Sequence, residues 1–167
     1  HSATGLPSIF ALSGATVVTD ATNKSLMTVA QPISNGFTCS TCHDEANWPA
    51  RYVAAEVTFP SGKKATFGEG MEDANLCLNC HQGRESTASV NSSVAGKEED
   101  TPDAALRFRN VHYFAAGATI FGGDTQGMYQ YEGQTYSGKF AHTAGFDTCI
   151  GCHNSHSLEV KVETCAE

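Results

Sequence analysis

The chain has 167 residues and a formal net charge of −8, an acidic balance that argues against nucleic acid and favours basic partners or plain solubility. Apolar residues make up 40 %, a little under the globular norm, which leaves room for one domain, or two small ones, around a thin side-chain core. The longest apolar candidate, 111–121, is interrupted by His112 and Gly117 and falls short of the roughly 20 residues that span a bilayer.

Residues 1–38 hold no complete motif. Ser13-Gly14 and Asn23-Lys24-Ser25 are turn signals, and 15–19 and 27–29 predict short strands. Residues 1–7 have neither the basic start nor the apolar stretch of a leader. Then Cys39-Ser40-Thr41-Cys42-His43 forms a C-x-x-C-H motif. Between 56 and 67, Pro60-Ser61-Gly62 predicts a hairpin turn, because Pro presets φ and Gly accepts positive φ. A short helix over 71–79 delivers a second motif, Cys77-Leu78-Asn79-Cys80-His81. The polar stretch 82–104 reads as a surface loop; residues 1–167 read as one domain, with that loop as the best internal boundary. Thr101-Pro102-Asp103 predicts a helix start, the helix running to about Ala116. Alternating tyrosines around Glu132-Gly133 predict a second hairpin over 129–136. The third motif is Cys149-Ile150-Gly151-Cys152-His153.

C-x-x-C-H reads as a c-type haem attachment site. Two thiols add to the haem vinyl groups, and the next residue offers an imidazole to the iron. Three such motifs use six of the seven cysteines. On this reading Cys39, Cys42, Cys77, Cys80, Cys149 and Cys152 tether three haems, and His43, His81 and His153 are their proximal ligands. Zinc bound by four thiolates is the rival. However, the Cys42–Cys77 gap is longer than ribbon spacing, and such a site has no use for a trailing His. A thioredoxin-like motif sits once in a βαβ pattern, which is absent. Disulfides do not require the His either. Three haems would leave about 56 residues each, so the expected core is macrocycle wrapped by loops. Haem c is attached outside the cytoplasmic membrane. The expected compartment is therefore periplasmic, cell-surface or extracellular, with a leader removed or lying upstream.

Haem iron has a second axial position, for His, Met or an open site. His112, His142 and His156 match three irons in number, which favours bis-histidine ligation over Met27, Met71 or Met128. His156 follows His153 by three residues, so the two share one face of the segment if it is helical. They do not grip one iron from opposite sides, and His156 is assigned to a neighbouring haem. Cys165-Ala166-Glu167 looks like a motif cut short, and His1 like the end of an upstream one. The expectation is an excised segment of a longer multihaem chain. The alternative makes His1 an extra ligand for a fourth haem and Cys165 a free thiol or an intermolecular disulfide.

The three motifs resemble the multihaem c-type cytochromes of bacterial and archaeal respiration and extracellular electron transfer. Val57-Thr58-Phe59-Pro60-Ser61-Gly62, Cys80-His81-Gln82-Gly83-Arg84, Asn110-Val111-His112-Tyr113-Phe114 and Cys152-His153-Asn154-Ser155-His156 extend the resemblance to cell-surface members over most of the chain beyond residue 38. It implies little regular secondary structure: a few short helices and small β-hairpins around a stacked haem core with His/His axial pairs. It implies electron transfer, with redox proteins or copies of the chain itself as partners, since some members polymerise into filaments. A filament subunit is thus one alternative. A multihaem oxidoreductase acting on nitrogen or sulfur oxyanions is another; such sites often use C-x-x-C-K, and none occurs here.

Overall fold

The computed structural model describes residues 36–112, 114–140 and 142–166. The strands expected at 15–19 and 27–29, with His1 and Met27, lie outside the described residues. Regular structure is sparse. Helices α1 (Cys39–Cys42), α2 (Glu72–His81), α3 (Thr87–Val94), α4 (Ala116–Phe121) and α5 (Cys149–Cys152) accompany one hairpin of β1 (Val57–Thr58) and β2 (Lys64–Ala65), with 3-10 turns at Glu45–Asn47, Gly122–Asp124 and Val162–Cys165. No described helix is long and apolar enough to cross a membrane.

The hairpin forms where the turn chemistry predicts it. Val57 faces Ala65 and Thr58 faces Lys64 in antiparallel register. Gly62 takes φ +84°, and its N–H donates to the Phe59 carbonyl at 2.8 Å. Helix α2 starts with Glu72 and Asp73 in its first turn, where acidic groups complement the helix dipole. It buries Ala74, Leu76 and Leu78 against Val57, Phe59, Ala65 and Phe67 of the hairpin region and Ala118 and Phe121 of α4. Phe121 stands edge-on to Phe59 at 6.2 Å and tilted against Phe67 at 5.2 Å. Gly117 lets α4 close on α2: a Cβ there would lie 2.8 Å from Leu78 and 2.9 Å from the His81 carbonyl. Cys42, Cys149 and Ile150 pack on the edge of this small core. The polypeptide core thus sits directly behind the three motifs.

One polar side chain stitches the core. Asn75 is fully buried. Its Oδ1 accepts from the Phe67 N–H at 2.9 Å, and its amide donates toward the carbonyls of Ala54 at 2.7 Å and Ala55 at 3.1 Å and the Thr66 hydroxyl at 3.0 Å. Helix, hairpin and the preceding segment meet at this residue.

Three expectations change. The stretch 82–104 contains α3, because Ser86 and Ser89 cap each other reciprocally. Its first turn is tied down by Thr87, whose hydroxyl donates to the Met128 carbonyl at 2.8 Å and accepts from Gln130 N–H at 2.9 Å. The helix expected from 101 to 116 does not form. Asp103 holds one turn, whose open carbonyls at Ala104 and Leu106 accept from the Arg107 guanidinium at 2.8 and 3.2 Å. His112 and Phe114 then adopt φ +79° and +56°, and the helix begins only at Ala116. Around Glu132-Gly133 the turn exists, with Gly133 at φ +75°, but no ladder follows. The Tyr131 N–H donates to the Tyr136 hydroxyl at 2.9 Å instead of to a carbonyl across the hairpin.

Replacing Asn75 with Ala leaves the Phe67 N–H and the Ala54 carbonyl buried without partners, and we expect a loss of about 2–4 kcal/mol. Chemical denaturation of the holoprotein measures it, with the haem count unchanged.

Candidate haem attachment sites

The first and third motifs share one local design. Each Cys pair occupies a single helical turn, α1 or α5, so both thiols project from one short segment. The residue before each turn is a threonine, Thr38 or Thr148, in extended conformation; Thr148 accepts from the Gly151 N–H at 3.3 Å. His43 and His153 are the C-caps, with φ −102° and −108°, and their N–H groups donate to the carbonyls of Cys39 and Cys149. The extended backbone turns the imidazole out of the helical turn. Each chain then loops back: His43 bridges Arg51 and His153 bridges Val160. The Tyr52 and Lys161 N–H groups donate to Cys42 and Cys152 carbonyls, both at 2.9 Å. The residue after each motif, Asp44 or Asn154, caps the loop. Asp44 accepts from Ala46 N–H at 3.0 Å, and Asn154 from His156 and Ser157 N–H at 2.9 and 3.1 Å.

The second motif is built differently, at the C-terminal end of α2, with His81 the last helical residue. Its orientation depends on the segment that approaches from residues 111–117.

All three motif imidazoles are held in the same way. Nδ1 of His43 lies 2.8 Å from the Pro49 carbonyl, Nδ1 of His81 2.5 Å from the Phe114 carbonyl, and Nδ1 of His153 3.0 Å from the Leu158 carbonyl. A carbonyl only accepts, so Nδ1 is the donor in each case, and in the neutral ring that places the lone pair on Nε2. This is how proteins present a neutral imidazole to a metal. Phe114 and Leu158 hold φ +56° and +63°, a region that costs an L-residue about 1–2 kcal/mol. That conformation aims their carbonyls.

The thiols of different motifs converge. Interaction with Cys149 pushes the Cys77 thiol up, and interaction with Cys77 draws the Cys149 thiol down. Burial, and next the Cys77 thiol, pushes Cys42 up. An ion pair between Arg51 and Asp73 joins the first motif's loop to α2. All seven cysteines are free thiols, and among the described residues no group of three or more His, Cys, Asp or Glu is arranged to hold a metal ion. Cys165 is an exposed thiol near the Lys161 carbonyl at 3.8 Å.

Of the remaining histidines, His156 lies across from His43, with ring centroids 6.4 Å apart and planes within 2° of parallel. His142 is exposed, its ring 6.4 Å from that of Phe146. His112 is half-buried, its N–H donating to Asn110 at 2.9 Å. Met71 packs on the core and Met128 is exposed.

The site fits haem c in its donor chemistry: two thiols on one turn, then an imidazole with Nε2 free. Apolar side chains also flank each motif without polypeptide cover. Phe37 is 54 % exposed, Trp48 60 %, Phe114 74 % and Leu158 54 %, and Trp48 sits 4.9 Å from the His43 ring. Reading the sequence missed Pro49, Phe114 and Leu158, whose role lies in backbone conformation. The repeated threonine before the first and third motifs was the one signal on the page.

No family model matches the chain, and no solved structure matches it. Its curated relatives include the C-type polyheme cytochrome OmcB of Geobacter sulfurreducens, from strain DL-1 / KN400 and from strain ATCC 51573 / DSM 12127 / PCA. Each is 34 % identical over 101 residues, covering 51 % of this chain. The matched stretch spans 12 % of the relatives' length.

Substituting Leu158 with Gly keeps the carbonyl and removes the left-handed penalty, offset in part by the greater freedom of glycine in the unfolded chain. We expect a gain of about 0.5–1 kcal/mol, read from the denaturation midpoint, with an unshifted haem absorption spectrum.

Proposed function

We propose that this chain, a multihaem c-type cytochrome, passes electrons along closely packed bis-histidine haems and performs no substrate chemistry. Haem c supplies a one-electron iron couple when bound. The chain's residues supply tethers at Cys39 and Cys42, Cys77 and Cys80, and Cys149 and Cys152. They supply oriented imidazoles at His43, His81 and His153, and second axial ligands from His112, His142 and His156. Residues 1–167 form one cytochrome domain with a haem core, working outside the cytoplasm.

The observation that carries this reading is the convergence of the three motifs. Helix α5 of the third motif packs against α2 of the second, and the ring of His156, beside the third motif, lies parallel to that of His43 in the first with centroids 6.4 Å apart. Haems tethered at such sites lie close together, which is what electron hopping requires and what a single catalytic haem does not. Similarity to a polyheme cytochrome supports the same reading. His/His ligation holds potentials lower than His/Met, so we place the couples at low potential.

Intact mass and a pyridine haemochrome assay should give three covalent haems per chain. On reduction, carbon monoxide should bind little, since every iron is held on both sides; substantial binding would favour the oxyanion reductase instead. Cys77→Ala should lower the haem count by about one and destabilise the fold, because folding and cofactor binding are coupled.

A further inference from the structure

We propose that His156 is the second axial ligand of the iron tethered at Cys39 and Cys42, opposite His43, with the two imidazole planes parallel. The inference rests on the haem reading above and adds to it a specific pair and its orientation.

Geometry carries it. Two imidazoles that grip one metal through Nε2 from opposite sides, each at about 2.0 Å, place their ring centroids about 6.3 Å apart. The observed separation is 6.4 Å, with planes 2° apart. Each ring also belongs to a loop that fixes it. The Pro49 carbonyl occupies Nδ1 of His43, which leaves Nε2 as its metal-binding nitrogen. Asn154 accepts from the backbone N–H groups of His156 and Ser157, which sets the turn that carries His156. His156 and His43 come from different motifs, so neither competes for the other's proximal position.

A second observation places the two motifs face to face. A cleft of about 270 Å³ is lined by His153, His156 and Lys161 on one side and by Arg51 on the other. Arg51 is the residue that bridges His43. The space beside His156 is therefore bounded by the return strand of the first motif. Two cations at its rim suit the carboxylates of a haem.

The two matching loops also explain why the third one donates a ligand. Ala46 and His156 stand at the same position, three residues after the motif His, on loops capped alike by Asp44 and Asn154. The first loop presents a methyl group there and the third an imidazole. The third motif thus serves two irons, its own through His153 and the first motif's through His156.

The test compares His43→Ala, His156→Ala and the double variant in the holoprotein, by carbon monoxide binding to the reduced form and by intact mass. His156→Ala alone should keep three haems by mass and open one carbon monoxide site. Adding it to His43→Ala should open no site beyond those of His43→Ala alone, whether or not that variant keeps its first haem. An additional site in the double variant means that the two histidines serve different irons and overturns the pairing. So does an absence of binding in His156→Ala. If the variants do not fold, electron paramagnetic resonance of the oxidised wild type decides, since parallel imidazole planes give a rhombic low-spin signal and crossed planes a single feature at large g. Absence of a rhombic signal overturns the proposal. A mass equal to polypeptide alone would instead sink the haem reading beneath it, which keeps the two failures apart.

Discussion

A histidine that serves a metal needs one nitrogen protonated and the other bare, and the protein has to decide which. Here three backbone carbonyls each hold one motif imidazole by Nδ1. Several features of the described structure converge on those carbonyls. The return loops after the first and third motifs, the approach of residues 111–117 to α2, and the left-handed residues Phe114 and Leu158 all end at an imidazole Nδ1. Strain of this kind persists only where neighbouring structure enforces it.

The polypeptide core is correspondingly small. Among the described residues ten apolar side chains are buried, gathered between the hairpin, α2 and α4, while large apolar side chains such as Phe108, Phe114 and Phe140 stand in the open. On the proposed reading the macrocycles complete the burial. That makes the fold conditional on cofactor attachment, and it makes Asn75 the main organiser of the part that the polypeptide builds alone.

Much of this was legible in the sequence, and the limits have physical causes. The hairpin was legible because Pro60-Ser61-Gly62 encodes its turn locally. Helix α2 was legible from its acidic start and its delivery of Cys77 and Cys80. Helix α3 was not, since its serines and threonines read as loop until Ser86 and Ser89 are seen capping each other. The stretch after Pro102 looked helical, yet His112 and Phe114 take left-handed φ values that a helix does not pass through. At the sites, spacing alone singles out the Cys pairs and the His that follows each. The partners of their Nδ1 atoms could not, because any residue has a carbonyl and only conformation selects Phe114 and Leu158. Nor could the approach of His156 to His43, which depends on how two distant loops meet.

The segment between α3 and the stretch that approaches the second motif has a different standing. From Lys97 to Asn110 nearly every residue is exposed. Its neck is closed by the Lys97–Asp103 ion pair and by the Arg84 N–H on the Val111 carbonyl at 3.0 Å. Lengthening such a loop costs only about 0.6 kcal/mol per doubling, and none of the three motifs lies within it. Extra sequence inserted there would therefore cost the fold little and leave the three motifs where they are.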